Sequence, residues 1–236
     1  MSFSRDTPAG GLAGSLTEPE EFASARRAMV EEQLRARGGF SARVLEAVAA
    51  VPRHEFVPAE WLHAAYADKP LPIGDGQTIS QPYMVAAMTE AAELTGRERV
   101  LEVGTGSGYQ AAILSCLARE VMTIESQPRL AEAAAARLAI LGYANLRVFQ
   151  GDGTLGWPAA APFDAIVVTA AAPDIPPPLV EQLAEGGRLV IPVGDTQQQE
   201  LLVVRKAAGE TTQERRHYCR FVPLIGRYGW PGPSNR

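Results

Sequence analysis

Residues 100–110, VLEVGTGSGYQ, decide the fold. Val100, Leu101 and Val103 around a single acid predict a buried parallel strand. Gly104, Gly106 and Gly108 then predict a tight loop, and Tyr109 to Ala118 continues with helical character. A strand, a glycine turn and a helix in that order bring a backbone close to a small-molecule cofactor. The spacing narrows the choice. A dinucleotide fingerprint, G-x-G-x-x-G, needs its third glycine where this chain has Tyr109, which speaks against a nicotinamide dehydrogenase.

Outward from that stretch the chain alternates. Strands are predicted at 99–103, 120–124, 146–149, 164–169, 187–193 and 200–205, with helices between them, among them Pro128 to Leu141, ended by Gly142. This alternation predicts an α/β fold, a Rossmann-like doubly wound and mostly parallel sheet with the loops after its strands along one edge. Upstream, helices are predicted over 21–37, ended by Gly38-Gly39, and from Ser41 to Ala50, with Ser41 as cap. An irregular proline-marked region follows, then a helix over 82–94 with Pro82 in its first turn. The N-terminal part is therefore a helical addition to the sheet.

The bulk properties set limits. With 236 residues the chain suits one full α/β domain, taken as 21–236, and residues 1–20, rich in Gly, Ser, Thr and Pro, predict a flexible tail. A net charge of −5 without a long basic run argues against nucleic acid as partner. The tail is not a secretory signal and no segment is long enough to span a bilayer, so a cytoplasmic monomer with no membrane partner is expected. Cys116 and Cys219 form no framework, and Cys116 reads as a buried free thiol. His54, His63 and His217 lack ligand spacing, so no metal site is expected.

The form E-x-G-x-G-x-G resembles that of S-adenosylmethionine (AdoMet) methyltransferases. Glu125 closes the second strand, 23 residues beyond Glu102, a placement that suits an acid accepting hydrogen bonds from the two hydroxyls of a ribose. It is equally a place for a solvated surface carboxylate. Asp152 and Gly153, after the third strand, suit contact with the exocyclic amine of adenine, or a turn built by Gly151-Asp152-Gly153, or both. Residues 74–84, GDGQTISQPYM, carry Thr78, Ser80 and Gln81 with no acid or base beside them. They read either as a loop in which Ser80 caps the helix near Pro82, or as a lid over cofactor and substrate.

Further motifs carry a more specific likeness: RAMVEEQL at 27–34, VPRHEFVP at 51–58, GQTISQPYMVA at 76–86, FDAIVVTAAAP at 163–173 and LAEGGRLVIPVG at 183–194. Together with the glycine loop and GDG at 151–153, they resemble the protein-L-isoaspartate O-methyltransferase family over residues 24 to 230. The resemblance implies the AdoMet-dependent methyltransferase fold, AdoMet as cofactor and isoaspartyl-containing proteins and peptides as substrates. It implies methylation of the free α-carboxylate, with repair through a succinimide. By the same matching, Ser80 takes a place at the active site, and Thr78, Ser80, Glu102, Gly104, Gly106, Ser107, Glu125, Asp152 and Gly153 hold the cofactor. The C-terminal RFVPLIGRYGW resembles the part that covers the substrate. An α-carboxylate with a pKa near about 3.5 is already ionised at neutral pH, so a site of hydroxyls without a general base suits it. Two other readings stand beside this one: the same cofactor serving a small molecule or a natural-product peptide, and a catalytically silent binding module.

Overall fold

The computed structural model describes residues 18–232. Residues 1–17, most of the expected tail, lie outside the described residues. Glu18 to Glu20, also assigned to that tail, belong to the folded unit: Glu18 pairs with Arg26, and the first helix starts at Glu20.

Helices α1 (Glu20–Ala28) and α2 (Ala42–Ala50) form the N-terminal addition. The single helix expected over 21–37 instead widens into a π-helical turn at Met29–Leu34 and tightens at Arg35–Arg37. Met29 and Leu34 are both fully buried and stand five residues apart, so the wider turn keeps both on the core side. Ser41 caps α2 by position, but its hydroxyl bonds the Glu90 carboxylate at 2.9 Å rather than the helix end.

The region expected to be irregular contains a two-stranded hairpin, β1 (Leu71–Gly74) and β2 (Gln77–Ile79), turned by Asp75-Gly76 with φ of 50° and 71°. Asp-Gly with both φ positive is the backbone of a tight hairpin turn. Helix α3 (Pro82–Ala91) follows. Then come β3 (Arg99–Val103), α4 (Tyr109–Leu117), β4 (Glu120–Glu125), α5 (Pro128–Ile140), β5 (Leu146–Gln150), β6 (Phe163–Val168), α6 (Pro177–Glu181), β7 (Leu183–Gly194), β8 (Gln199–Ala207) and β9 (Glu210–Cys219).

The main sheet runs β5-β4-β3-β6-β7-β8-β9, parallel from β5 to β7 and antiparallel thereafter. The chain winds outward from β3 to β5, then returns to β6 beside β3. The loops at the carboxyl ends of β3, β4, β5 and β6 therefore open into one crevice at that switch point, where ligands bind in open α/β sheets. Residues of β3 alternate between two cores: Val100 joins the one beneath the N-terminal helices, Leu101 and Val103 the one on the opposite face. β9 escaped the sequence reading because its residues 210–218 are exposed and polar, with no alternation to detect.

The helical addition braces the glycine loop. The Arg53 guanidinium lies 4.8 Å from the centroid of the Tyr109 ring, and Phe56 meets the same ring edge-on at 5.5 Å. Arg53 is fully buried, and its Nε donates to the Ala65 carbonyl at 2.8 Å. Tyr109 opens α4 directly after the loop, so packing in the N-terminal layer fixes where the loop ends. Cys116 is exposed on α4 rather than buried. Among the described residues, no group of three or more His, Cys, Asp or Glu gathers as a metal site, and no helix is long and apolar enough to cross a membrane.

Candidate active site

The crevice is floored by the glycine loop. Gly104 has φ of +98°, and a Cβ there would sit 2.4 Å from Thr169 Oγ1. Only glycine lets the loop pass this close to the end of β6. A Cβ on Gly153 would likewise come 2.4 Å from Val103 Cγ1, so the loop after β5 lies directly against β3.

Glu125 stands at one side of the cleft. Its Oε2 accepts the Gly106 N–H at 2.8 Å and its Oε1 accepts the Gln127 N–H at 2.9 Å. Two backbone donors thus answer the charge of a side chain that is only 6 % exposed. Each carboxylate oxygen can accept more than one hydrogen bond, which leaves capacity for a vicinal diol. Thr78, Gly104, Gly106, Glu125 and Gly153 all line this one cleft.

Four of the expected cofactor residues, Ser80, Glu102, Ser107 and Asp152, are not among those lining the Glu125 cleft itself. Glu102 is completely buried under the loop, where it accepts from Thr123 Oγ1 and has Oε1 without a partner. Burial pushes its carboxyl up to about 8, with the Thr123 bond opposing and the Glu125 charge adding to the rise. The residue is therefore a neutral support at neutral pH, not a wall of the cleft. Its inward direction follows from the two-residue period of β3.

Asp152 is also withheld from the cleft wall. Its Oδ1 accepts from Thr154 N at 2.9 Å and Thr154 Oγ1 at 2.6 Å, and its Oδ2 from Arg227 N at 2.8 Å. The turn expected at this aspartate is present, extended by a clasp on the C-terminal segment. Ser107 and Ser80 line an adjoining recess that shares Thr78, Gly104, Gly106 and Thr169 with the cleft. Ser80 does not cap α3; the cap position is Gln81, and the Tyr83 N–H of the first turn instead donates to Asp68 Oδ1 at 3.2 Å.

The opposite wall comes from the C-terminal RFVPLIGRYGW segment, expected from the resemblance to cover the substrate and found here along the Glu125 cleft. Val222, Pro223, Leu224 and Ile225 cross the mouth of the cleft, and Thr169 and Gln127 complete it. This strap pairs with the loop after β6 through Ala171 N–Val222 O and Leu224 N–Ala171 O, each 2.8 Å. Trp230 fastens it again, its Nε1 donating to the Ala171 carbonyl at 3.1 Å. The apolar run FVPLI was the visible signal, but nothing local tells which loop it will meet.

A second chamber opens beside the cleft. Thr78, Thr169 and Val222 belong to both, and Ser80, Gln81, Met84, Arg220 and Phe221 complete the chamber. Its lining contains no His, Cys, Asp or Glu. A cradle of glycine backbone, an acid placed for a ribose diol and a neighbouring chamber of hydroxyls fit AdoMet and an acceptor side by side. Fold and site together define an AdoMet-dependent methyltransferase.

The comparisons with known proteins agree and go further. The family model described as protein-L-isoaspartate(D-aspartate) O-methyltransferase matches residues 24–229. The chain is 56 % identical over 211 residues to protein-L-isoaspartate O-methyltransferase 1 of Syntrophobacter fumaroxidans, covering 89 % of this chain and 99 % of that protein. It is 53 % identical over 215 residues to the enzyme of Methanoregula boonei, covering 91 % and 99 %. Among solved structures, a protein-L-isoaspartate O-methyltransferase superposes with a TM-score of 0.79 at 29 % identity, covering 86 % of this chain and 67 % of that one. The Plasmodium falciparum protein, solved in complex with S-adenosyl-L-homocysteine, gives 0.73 at 25 % identity, covering 85 % and 98 %. The chain belongs to the protein-L-isoaspartate(D-aspartate) O-methyltransferase family.

Proposed function

We propose that the Ser80 chamber receives the free α-carboxylate of an isoaspartyl residue and the Glu125 cleft holds AdoMet. The chain is a methyltransferase of isoaspartyl residues in proteins, the activity of its family. One observation carries the assignment of the chamber: Ser80, Thr78 and Thr169 supply hydroxyls there, and no side chain able to act as a base at neutral pH is present. An alcohol or amine acceptor would need a proton removed, whereas a carboxylate arrives charged.

AdoMet, when bound, supplies an electrophilic methyl group on sulfur. Glu125 binds the ribose hydroxyls, while Gly104, Gly106 and Gly153 leave the backbone bare for close approach. Thr78 and Thr169, on the wall common to both spaces, orient cofactor and acceptor toward one another. The Ser80 hydroxyl donates to one carboxylate oxygen and fixes its direction. A weak grip serves better than a strong one, because the nucleophile loses charge as it reacts. The strap at 222–225 keeps water from the junction.

The protein acts as a monomer in the cytoplasm and uses neither nucleic acid nor a membrane. The acidic net charge and two free cysteines support this reading. The test is transfer of labelled methyl to an isoaspartyl peptide and to its normal aspartyl twin. Label on the isoaspartyl peptide alone is expected; equal labelling of both overturns the reading.

A further inference from the structure

Arg220 is the one charged residue among those lining the Ser80 chamber. The arginines before it are answered: Arg215 pairs with Glu200 at 3.3 Å and Arg216 with Glu214 at 2.9 Å. Arg37, on the wider groove outside, pairs with Asp68 at 2.7 Å. Among the described residues, Arg220 has no acidic partner within ion-pair distance. Its backbone is nevertheless held in place. β9 ends at Cys219, and the Phe221 N–H donates at 2.8 Å to Oε1 of Gln199, itself only 2 % exposed.

We propose that Arg220 is a specificity-determining residue that recognises the substrate α-carboxylate by its charge; the proposal rests on the Ser80 chamber being the acceptor side. Arg220 is exposed, so its cation stands unanswered at the rim of a chamber of neutral hydroxyls, where it favours an anionic occupant over a neutral one. The reaction limits how it can help. The carboxylate is neutralised as the ester forms, so a cation stabilises the bound substrate more than the transition state. Arg220 therefore contributes to capture and to KM. Its place is at the bystander oxygen, while the attacking oxygen is turned toward the wall shared with the cofactor cleft.

The experiment is steady-state methylation of an isoaspartyl peptide at saturating AdoMet, over a range of salt, with wild type, Arg220→Gln and Arg220→Lys. Arg220→Gln is expected to raise KM about tenfold with kcat held or raised. In wild type and Arg220→Lys, kcat/KM falls with added salt; in Arg220→Gln it stays flat. An unchanged KM, a loss confined to kcat, or an equal salt response in all three overturns the proposal. If Arg220→Gln does not fold, as judged by AdoMet calorimetry, the wild-type salt response and Arg220→Lys decide it, and a flat wild type overturns it. An active wild type with an indifferent Arg220→Gln removes only the role of Arg220. A wild type that binds AdoMet but leaves isoaspartyl peptides untouched removes the substrate reading as well.

Discussion

Glu125 Oε2 accepts the Gly106 backbone N–H at 2.8 Å, so the acid that ends β4 clasps the loop that follows β3. One carboxylate thus has two tasks: it shapes the glycine loop and it presents an acceptor to the cleft. Neutral backbone donors hold its charge in place, and among the described residues no cation pairs with it.

Glu125→Ala removes both tasks. AdoMet binding is expected to weaken by about 1–3 kcal/mol, the range for a lost charge-assisted hydrogen bond. Titration calorimetry measures this directly, and an unchanged Kd contradicts the ribose role.

Ser80→Ala should separate chemistry from cofactor binding. Ser80 lies in the chamber proposed for the acceptor and outside the Glu125 cleft, so AdoMet affinity is expected to stay within about twofold while methylation falls at least about tenfold. Parallel losses in both would place Ser80 on the cofactor instead.

Asp152→Ala breaks the clasp on the strap. It deletes acceptors for Thr154 and for the Arg227 N–H, at an expected cost of about 1–3 kcal/mol in stability. Amide exchange at Arg227 and Tyr228 should accelerate, and AdoMet affinity should drop through movement of Leu224 and Ile225. Unaltered exchange at Arg227 would show that the clasp contributes nothing.

Glu102 gives a pH signature. Its carboxyl, raised by burial to about 8 from 4.5, binds a proton more tightly in the folded than in the unfolded chain. The folded state therefore loses stability as pH rises between these values, by at most about 1.4 kcal/mol per pH unit from this group. Glu102→Gln removes that dependence. The variant should gain on wild type in denaturant titrations as pH climbs from 6 to 8, and a constant difference would mean that Glu102 is ionised in the fold.

The parallel part of the sheet was legible in the chain because buried strands and glycine turns leave strong local marks: β3 and β4 are apolar runs ending at Gly104 and Glu125, and β6 is an apolar run ending at Thr169. β9 was not, since an exposed edge strand has no hydrophobic alternation; its pairing with β8 is set by the Ala208-Gly209 turn, with φ of 53° and 76°. The hairpin at 71–79 had its signal in Asp75-Gly76, masked by surrounding prolines. In the site, Glu125 and the glycines could be placed because they follow strands directly. The intramolecular partners of Glu102 and Asp152 were not legible, because spacing places a residue on an edge but does not say which neighbour its oxygens will meet. The strap illustrates the same limit at long range: its partner Ala171 is distant in sequence, and no pattern near Val222 announces it.

That strap carries a consequence for biosynthesis. The glycine loop and Glu125 leave the ribosome well before residues 222–225, so a growing polypeptide first displays the cleft as an open trough. The wall opposite Glu125 is completed only when the late segment docks against Ala171 and Asp152, so the cleft is the last part of the fold to close.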